Sequence, residues 1–449
     1  MKTSIKIMLA AGLLSAGFVG TVSANTAVYL TGSSAFRASD TNAIIHLFGG
    51  TAQAAYDGTK GLGSATHQVI TGTYNGKTYD VYTCWTGSLS GLIAINFPTA
   101  AQNAYFTSNA GETTATAGSG ASSSNGATGG ASVSTSTANH AADGAFSDVY
   151  ATSTPYNTGI TPARGTDGII GVVPFVFVGN PDLKNFVPTV GGQVTNIDGV
   201  QAQQLYGGGL VMPQLTGNDA DYDKSGPYLI VATGRDADSG TRFTTFAETG
   251  FNPVGAAQQQ PTQYTVSTSG SSISVDPYPA ETLFPGTGHQ ISYAAGNGGY
   301  PSGGNEQSAL NILGTTSANS DNQTYVIGSL GESDAKNAVS NSTNAINAYF
   351  LSYNGQSYGT VTYTTSGSGV AATVSYNRTA VDEGIYTFWG YEHCYYVNSD
   401  ANAALITAIA GKVHDVDAPI AGEILSNMAV ERSYEGGPIS YVGVGNGQQ

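Results

Sequence analysis

The chain has 449 residues, of which 14 are Lys or Arg and 30 are Asp or Glu, so its formal net charge is −16. This acidic balance, without a basic cluster, argues against nucleic acid and anionic membrane surfaces as partners. The two cysteines exclude a disulfide scaffold and a cysteine-ligated zinc or iron–sulfur site. Hydrophobic residues make up 40% of the chain, enough for two or three domain-sized units or one large two-lobed body.

The first 24 residues have the pattern of a secretory signal peptide. Lys2 and Lys6 precede an apolar stretch from Ile7 to Val22, and small residues then place a cleavage site after Ala24. The apolar stretch is short and rich in glycine for a transmembrane span, so a retained anchor is the less favoured alternative. We therefore expect an exported product, in the periplasm or outside the cell, with no membrane insertion after cleavage.

Strands and helices alternate along the rest of the chain. Apolar runs predict strands at 27–31, 80–85, 168–178, 228–232, 325–330 and 385–397, and helical patterns run through 42–48, 200–206, 243–246 and 402–410. A turn of Ser and Gly predicts a hairpin at 266–275, and alternating Thr, Val and Tyr around glycines predict another at 358–376. Residues 107–141 are nearly all small or polar and predict a mobile insertion. The alternation indicates an α/β fold with parallel sheets.

Three of the predicted strands end in small hydroxyl residues directly before a helical segment. The residues at these junctions are Ser33 and Ser34, Gly87 and Ser88, and Arg235, Ser239, Gly240 and Thr241. The first N–H groups of a helix have no intrahelical partner and carry partial positive charge, so such junctions can bind an anion. A single junction is more often a simple helix cap. Three junctions, one of them with an arginine, favour an anion site, while the lack of a Walker A motif leaves nucleotide hydrolysis unsupported.

Asp148 is a fourth candidate for this site. An ionised carboxylate can only accept hydrogen bonds. Beside a bound oxyanion it favours a guest that carries a proton at pH 7, such as phosphate, and repels one that does not, such as sulfate. A surface or capping aspartate is the alternative interpretation.

Taken in order, these segments resemble the phosphate-binding proteins of bacterial ABC importers, which have the type II periplasmic-binding-protein fold. The similar segments are LTGSSAF at 30–36, GSLSG at 87–91, DGAFSDV at 143–149, GVVPFVFVGNP at 171–181, RDADSGT at 235–241, and SGGNEQSALNIL at 302–313 with YVIGSLGESDA after it. The chain departs from the family pattern in three of these segments, one of which has Val-Ile-Gly at 326–328 where the family has Ile-Gly-Tyr. Ala237 stands where the family has an aspartate that pairs with the arginine, and Leu89 replaces a serine. Asp236 or Asp238 is then a candidate to pair with Arg235.

The resemblance implies a two-lobed α/β fold with parallel or mixed sheets in each lobe and hairpin insertions near 262–278 and 355–378. It implies a first lobe at 25–172, a second lobe at 173–383 and a return to the first lobe at 384–449. The implied ligand is inorganic phosphate, delivered to an ABC-type membrane permease, with no cofactor, metal or catalytic residue. The implied ligand-binding residues are Ser33, Ser34, Ala35, Phe36, Gly87, Ser88, Asp148, Arg235, Ser239, Gly240 and Thr241.

Two further functions stay open beside this one. A surface or matrix structural protein that reuses the fold is indicated by the many Tyr and Gly residues and the low charge. A phosphatase on the same fold has the least support, because no nucleophile or metal-ligand pattern is present. The family's sheet order would separate Cys84 from Cys394 by two strands, or about 14 Å, which is too far for a disulfide. We therefore expect two buried thiols.

Overall fold

The computed structural model describes residues 25–57, 61–97, 104–106, 131–132, 137–222, 229–251, 261–269, 272–283, 291–314, 323–340, 347–366 and 369–443. The predicted signal peptide and most of the predicted insertion at 107–141 lie outside the described residues. Within the described ranges, no helix is both long and apolar enough to cross a membrane.

Strands supply most of the regular structure. They are β1 (Thr26–Gly32), β2 (Gln53–Tyr56), β3 (His67–Tyr74), β4 (Lys77–Cys84), β5 (Ala104–Phe106), β6 (Ala131–Ser132), β7 (Thr137–Asn139), β8 (Gly144–Ser147), β9 (Ile160–Pro162), β10 (Ile169–Gly179), β11 (Asn196–Ile197), β12 (Leu210–Val211), β13 (Leu229–Ala232), β14 (Tyr264–Ser269), β15 (Ser272–Pro277), β16 (Glu281–Leu283), β17 (Ile291–Tyr293), β18 (Tyr325–Gly331), β19 (Tyr349–Phe350), β20 (Ser352–Tyr353), β21 (Gly359–Ser366), β22 (Gly369–Tyr376), β23 (Trp389–Val397), β24 (Val430–Glu431) and β25 (Ser440–Tyr441). The α-helices are α1 (Arg37–Phe48), α2 (Ser88–Asn96), α3 (Pro181–Asn185), α4 (Gly199–Gly208), α5 (Met212–Thr216), α6 (Gly240–Glu248), α7 (Gly303–Leu310), α8 (Glu332–Ser340), α9 (Arg378–Asp382) and α10 (Ala403–Lys412).

One large mixed sheet organises the fold. Its strand order is β12-β13-β18-β10-β23-β8-β1-β4-β3-β2-β6, with β19 paired to β10 and β9 paired to β23. Strand β1 runs parallel to β4 and β8, and β13 runs parallel to β18, whereas β10 is antiparallel to both of its main neighbours. The chain is therefore a mixed α/β protein, as predicted.

Strand β10 holds the two ends of this sheet together. Its first half, Ile169–Pro174, pairs with β23, and its second half, Phe175–Gly179, pairs with β18. Every residue of β10 is buried, which explains why its sequence is a nearly continuous apolar run. The ring of Phe177 stacks on Phe388 with centroids 4.8 Å apart.

The hairpins and cysteines follow the predictions. The pairs β14–β15 and β21–β22 are antiparallel hairpins at the predicted positions. Cys84 on β4 and Cys394 on β23 are buried free thiols, and strands β8 and β1 lie between theirs in the sheet. Their separation by two strands confirms that the thiols do not pair.

The predicted strand at 385–397 is wrong in its first part. Strand β23 begins only at Trp389, and the short helix α9 precedes it. Gly384 ends that helical region with a φ of +72°, a conformation that favours glycine, and the exposed Ile385 follows it. The sequence predicted a strand across this turn because Ile385, Tyr386 and Phe388 have strong strand preference.

Candidate functional site

The loop after β1 is held tightly against β8. Gly32 has a φ of +124°, and a Cβ atom there would overlap the backbone of Phe146. The N–H of Ser33 donates to the carbonyl of Phe146 at 2.9 Å, and the N–H of Gly87 donates to the carbonyl of Gly32 at 3.0 Å. The starts of α1 and α2 therefore lie side by side at the carboxyl ends of β1 and β4.

Ser88, the first residue of α2, contacts the carboxyl group of Asp148. The Ser88 hydroxyl donates to Asp148 Oδ1, and the N–H of Asp148 donates to Ser88 Oγ at 3.2 Å. Both residues are buried, with 1% of each exposed. A serine and an aspartate that are 60 residues apart in the chain are thus brought into direct contact.

The start of α6 packs against Ser88 and Asp148. A Cβ atom at Gly240 would overlap Asp148 Oδ1 and would lie 2.6 Å from Ser88 Oγ. The hydroxyl of Ser239 caps α6 by accepting from the N–H of Arg242 at 3.4 Å. A hydrogen bond from Thr241 helps to stabilise the ionised form of Asp148. Only a glycine at position 240 permits this close approach.

Arg235 lies beside this group and reaches the loop after β1. Its Nη1 donates to Ser34 Oγ at 3.2 Å, while Nε donates to the carbonyl of Tyr300 and Nη2 to the carbonyl of Pro301, both at 3.1 Å. The guanidinium is therefore fixed by two carbonyls and retains donors for another acceptor. It is buried, with 3% of the residue exposed.

Neither candidate carboxylate pairs with Arg235. No ion pair within 4.0 Å joins Arg235 to Asp236 or Asp238, all three of which are described residues. Asp236 and Asp238 instead interact with each other, and burial followed by the charge of Asp238 raises the pKa of Asp236 well above its ordinary value. Within the part of the chain that the structure describes, the guanidinium thus has no carboxylate within ion-pair distance.

Electrostatics at Asp148 differ from the simple acceptor predicted from the sequence. Burial raises the pKa of Asp148 to about 7, although the charge of Arg235 and the hydrogen bond from Thr241 favour ionisation. Near neutral pH the carboxyl group is therefore protonated in part of the molecules. In that form it can donate a hydrogen bond as well as accept one.

The structure brings Ser34, Ser88, Asp148, Arg235 and Thr241 to one place, with Gly87, Ser239 and Gly240 in the adjoining backbone. The three other candidates direct their side chains elsewhere. Phe36 is fully buried against Gly171 and Gly422. The hydroxyl of Ser33 accepts from the N–H of Phe36 at 3.4 Å and interacts with the buried Glu392. Ala35 faces Gly331 at the end of β18.

The sequence reasoning missed two buried carboxyl groups behind Asp148. Asp40 in α1 and Glu392 in β23 are both completely buried. Burial, and then the charges of neighbouring carboxyl groups including Asp148, raise the pKa of each well above its ordinary value. The adjacent Glu392 and His393 were visible in the sequence, but no local pattern connects them with α1.

The sequence reasoning also missed a polar cavity of about 740 Å³ next to the contact between Arg235 and Ser34. We call it the outer chamber. Ser34 and Arg37 line it on the side of α1, and Asp57 and Thr66 line it beside them. The start of α7 and the helix α8 also line it, with Ser302, Gly303, Asn305, Asp334 and Asn337.

Comparisons with known proteins identify similar structures but no sequence family. No family model matches the sequence, and no curated protein matches it. A phosphate transport receptor of ABC type from Vibrio cholerae is similar over 88% of this chain and 99% of its own, with 10% identity and a TM-score of 0.40. A phosphate ABC transporter substrate-binding protein with bound phosphate, from Clostridium perfringens, matches over 88% of this chain and 96% of its own, with 10% identity and a TM-score of 0.38. PstS from Borrelia burgdorferi matches over 86% of this chain and 92% of its own, with 11% identity and a TM-score of 0.35. These similarities are of overall fold alone.

Proposed function

We propose that this chain is an exported solute-binding protein that captures inorganic phosphate between two lobes and delivers it to an ABC importer. The observation that carries the proposal is the meeting of Ser88, Asp148 and Gly240 beside the Arg235–Ser34 pair. These residues come from segments far apart in the chain. Ser88 and Gly240 are the first residues of α2 and α6, and Ser34 precedes α1 by three residues. Such a meeting is what a small anion needs when it is bound by backbone amides and one guanidinium.

Local charge explains how an acidic chain holds an anion. The net charge of −16 opposes phosphate at long range, but screening at physiological salt limits that effect to about 8 Å. Inside the site the Arg235 guanidinium is buried and free of an ion pair within the described residues, so its attraction for an oxyanion is weakly screened. The partly protonated Asp148 adds a donor or an acceptor as the guest requires.

Calorimetric titration of the mature protein with inorganic phosphate tests the proposal. We expect one site per chain and a rise in the unfolding temperature, because a ligand at about 100 times its Kd stabilises the folded state by roughly 2.7 kcal/mol. Arg235→Gln should weaken binding at least tenfold, since hydrogen bonds to charged groups contribute about 1.5–3 kcal/mol. The control is Arg164→Gln, whose side chain faces Asp415 at 3.8 Å. No heat and no stabilisation at millimolar phosphate would reject the proposal.

A further inference from the structure

The outer chamber is too large for inorganic phosphate. A water molecule takes up about 30 Å³ in the liquid, so an anion of five heavy atoms fills only a small part of about 740 Å³. Sites for organic ligands commonly measure about 300–1,000 Å³. Ser34 accepts from Arg235 and also lines the chamber, so the chamber adjoins the proposed anion site at this residue.

The lining of the chamber is suited to a ligand rich in hydroxyl groups. Asp334 presents a carboxylate acceptor, and Asp57 presents a carboxylate that already contacts His67. Asn305 and Asn337 present amides that both donate and accept. Among the lining residues that the structure describes, Ala65 alone has a hydrocarbon side chain, and none is aromatic. The two aspartates and two asparagines are exposed or half-buried, so their polar groups are accessible to a ligand with hydroxyl groups, which can both donate and accept.

Arg37 brings a second guanidinium to the chamber. Its buried Nε has no hydrogen-bond partner, and it forms no ion pair within 4.0 Å, among the described residues. Burial lowers the pKa of Arg37, the charges of Asp334 and Asp57 raise it, and the nearby Arg235 lowers it further. Two guanidinium groups close enough to repel each other are stabilised by an anionic ligand that lies between them.

We propose that the outer chamber binds the alcohol portion of a phosphate monoester of a polyhydroxylated alcohol, with its phosphoryl group at the anion site. Arg37 and Arg235 would share the charge of the phosphoryl group, and the carboxylates and amides would bind the hydroxyl groups. The phosphoryl group of a monoester is protonated in only a small fraction of molecules at pH 7, because its second pKa is about 6. The partly protonated Asp148 supplies that hydrogen bond instead. This inference rests on the proposed function for its anion site.

The test is calorimetric titration of the full-length mature protein with inorganic phosphate, glycerol 3-phosphate, glucose 6-phosphate and glucose. We expect both esters to bind and glucose alone not to bind. Arg37→Gln should weaken binding of the esters and of inorganic phosphate about tenfold, as expected for loss of one charge-assisted contact to the phosphoryl group that they share. Asn337→Trp, at an exposed position of α8, should narrow the chamber and reduce ester binding alone. Lys336→Gln on the same helix, outside the lining, is the control and should leave both ligands unchanged.

The outcomes separate this inference from the proposed function. Binding of phosphate without either ester would overturn the inference and leave the proposed function intact. Binding of neither phosphate nor ester would overturn the proposed function itself. The inference would also be overturned if ester and phosphate binding fell equally in Asn337→Trp, if ester binding were unchanged in Arg37→Gln, or if glucose bound as well as glucose 6-phosphate.

Discussion

Asp148 is buried against Ser88 and Gly240, where its charge has little water to solvate it. Its raised pKa, about 7, means that near neutral pH a ligand meets this carboxyl group in both its ionised and its protonated form. When ionised it accepts only, and it repels an oxyanion without a proton. When protonated it can donate a hydrogen bond, so an oxyanion without a proton can then bind beside it. Selectivity at this residue should therefore depend on pH.

Sulfate separates the titration of Asp148 from that of the ligand, because sulfate stays fully ionised near neutral pH. We expect sulfate binding to the native protein to strengthen as pH falls from about 8 to about 6, through the raised pKa of Asp148. Asp148→Asn should bind sulfate with nearly the same affinity at both pH values and should lose discrimination between phosphate and sulfate. Calorimetric titration at each pH measures both effects. Unchanged selectivity in the variant would remove Asp148 from the site.

At the scale of elements, the position of α6 depends on one missing side chain. Gly240→Ala would place a methyl group against Asp148 Oδ1, so the start of α6 would have to withdraw from α2 and β8. We expect a loss of about 1–3 kcal/mol in the free energy of unfolding, the usual cost of overpacking a buried contact. Phosphate binding should be lost with it. Chemical denaturation and titration measure the two effects.

The control for this substitution lies in α10. Gly411 is also in a helix, but a Cβ atom there would have no neighbour within 4 Å. Gly411→Ala should therefore leave stability unchanged or raise it by roughly 0.5–1 kcal/mol, because alanine has the higher helix propensity. Equal effects of the two substitutions would show that the contact with Asp148 does not determine the position of α6.

Elements with a local signal were predictable from the sequence. β10 is a continuous apolar run, and the hairpin β21–β22 alternates residues around glycines, so both were found. The junctions at Ser88 and Arg235 were visible because small hydroxyl residues follow apolar strands. The partners of Arg235 were not visible, since the carbonyls of Tyr300 and Pro301 are 65 and 66 residues away in sequence. Such contacts depend on tertiary packing.

At the scale of the whole molecule, burial of carboxyl groups links stability to pH. Burial, only partly offset by the charge of Arg235 and the N–H of Ser329, raises the pKa of Glu306 to about 8, and burial raises that of Asp148 to about 7. The folded chain thus holds more protons than the unfolded chain between the ordinary carboxyl pKa values, about 4, and about 8. The stability that these groups contribute is complete below that window and is lost as pH rises through it.

His393 has the opposite effect on the pH dependence of the free energy of unfolding over part of the same pH range. Burial lowers its pKa to about 4, so the unfolded chain binds the additional proton as pH falls below the ordinary histidine value. Asp40 and Glu392 join Asp148 and Glu306 among the buried carboxyl groups with raised pKa values, so carboxyl groups outnumber this histidine. We therefore expect the free energy of unfolding to fall from about pH 6.5 to about pH 8.

Glu306→Gln tests one member of this group. Glutamine keeps the Oε1 acceptor that receives the N–H of Ser329 at 3.1 Å but cannot ionise. Each proton difference between folded and unfolded chains contributes about 1.4 kcal/mol per pH unit, so the variant should lose less stability than the native protein between about pH 6.5 and about pH 8. Urea denaturation at several pH values measures the slope, which does not depend on any constant cost of the substitution. Parallel slopes in the native protein and the variant would contradict an unusually high pKa for Glu306.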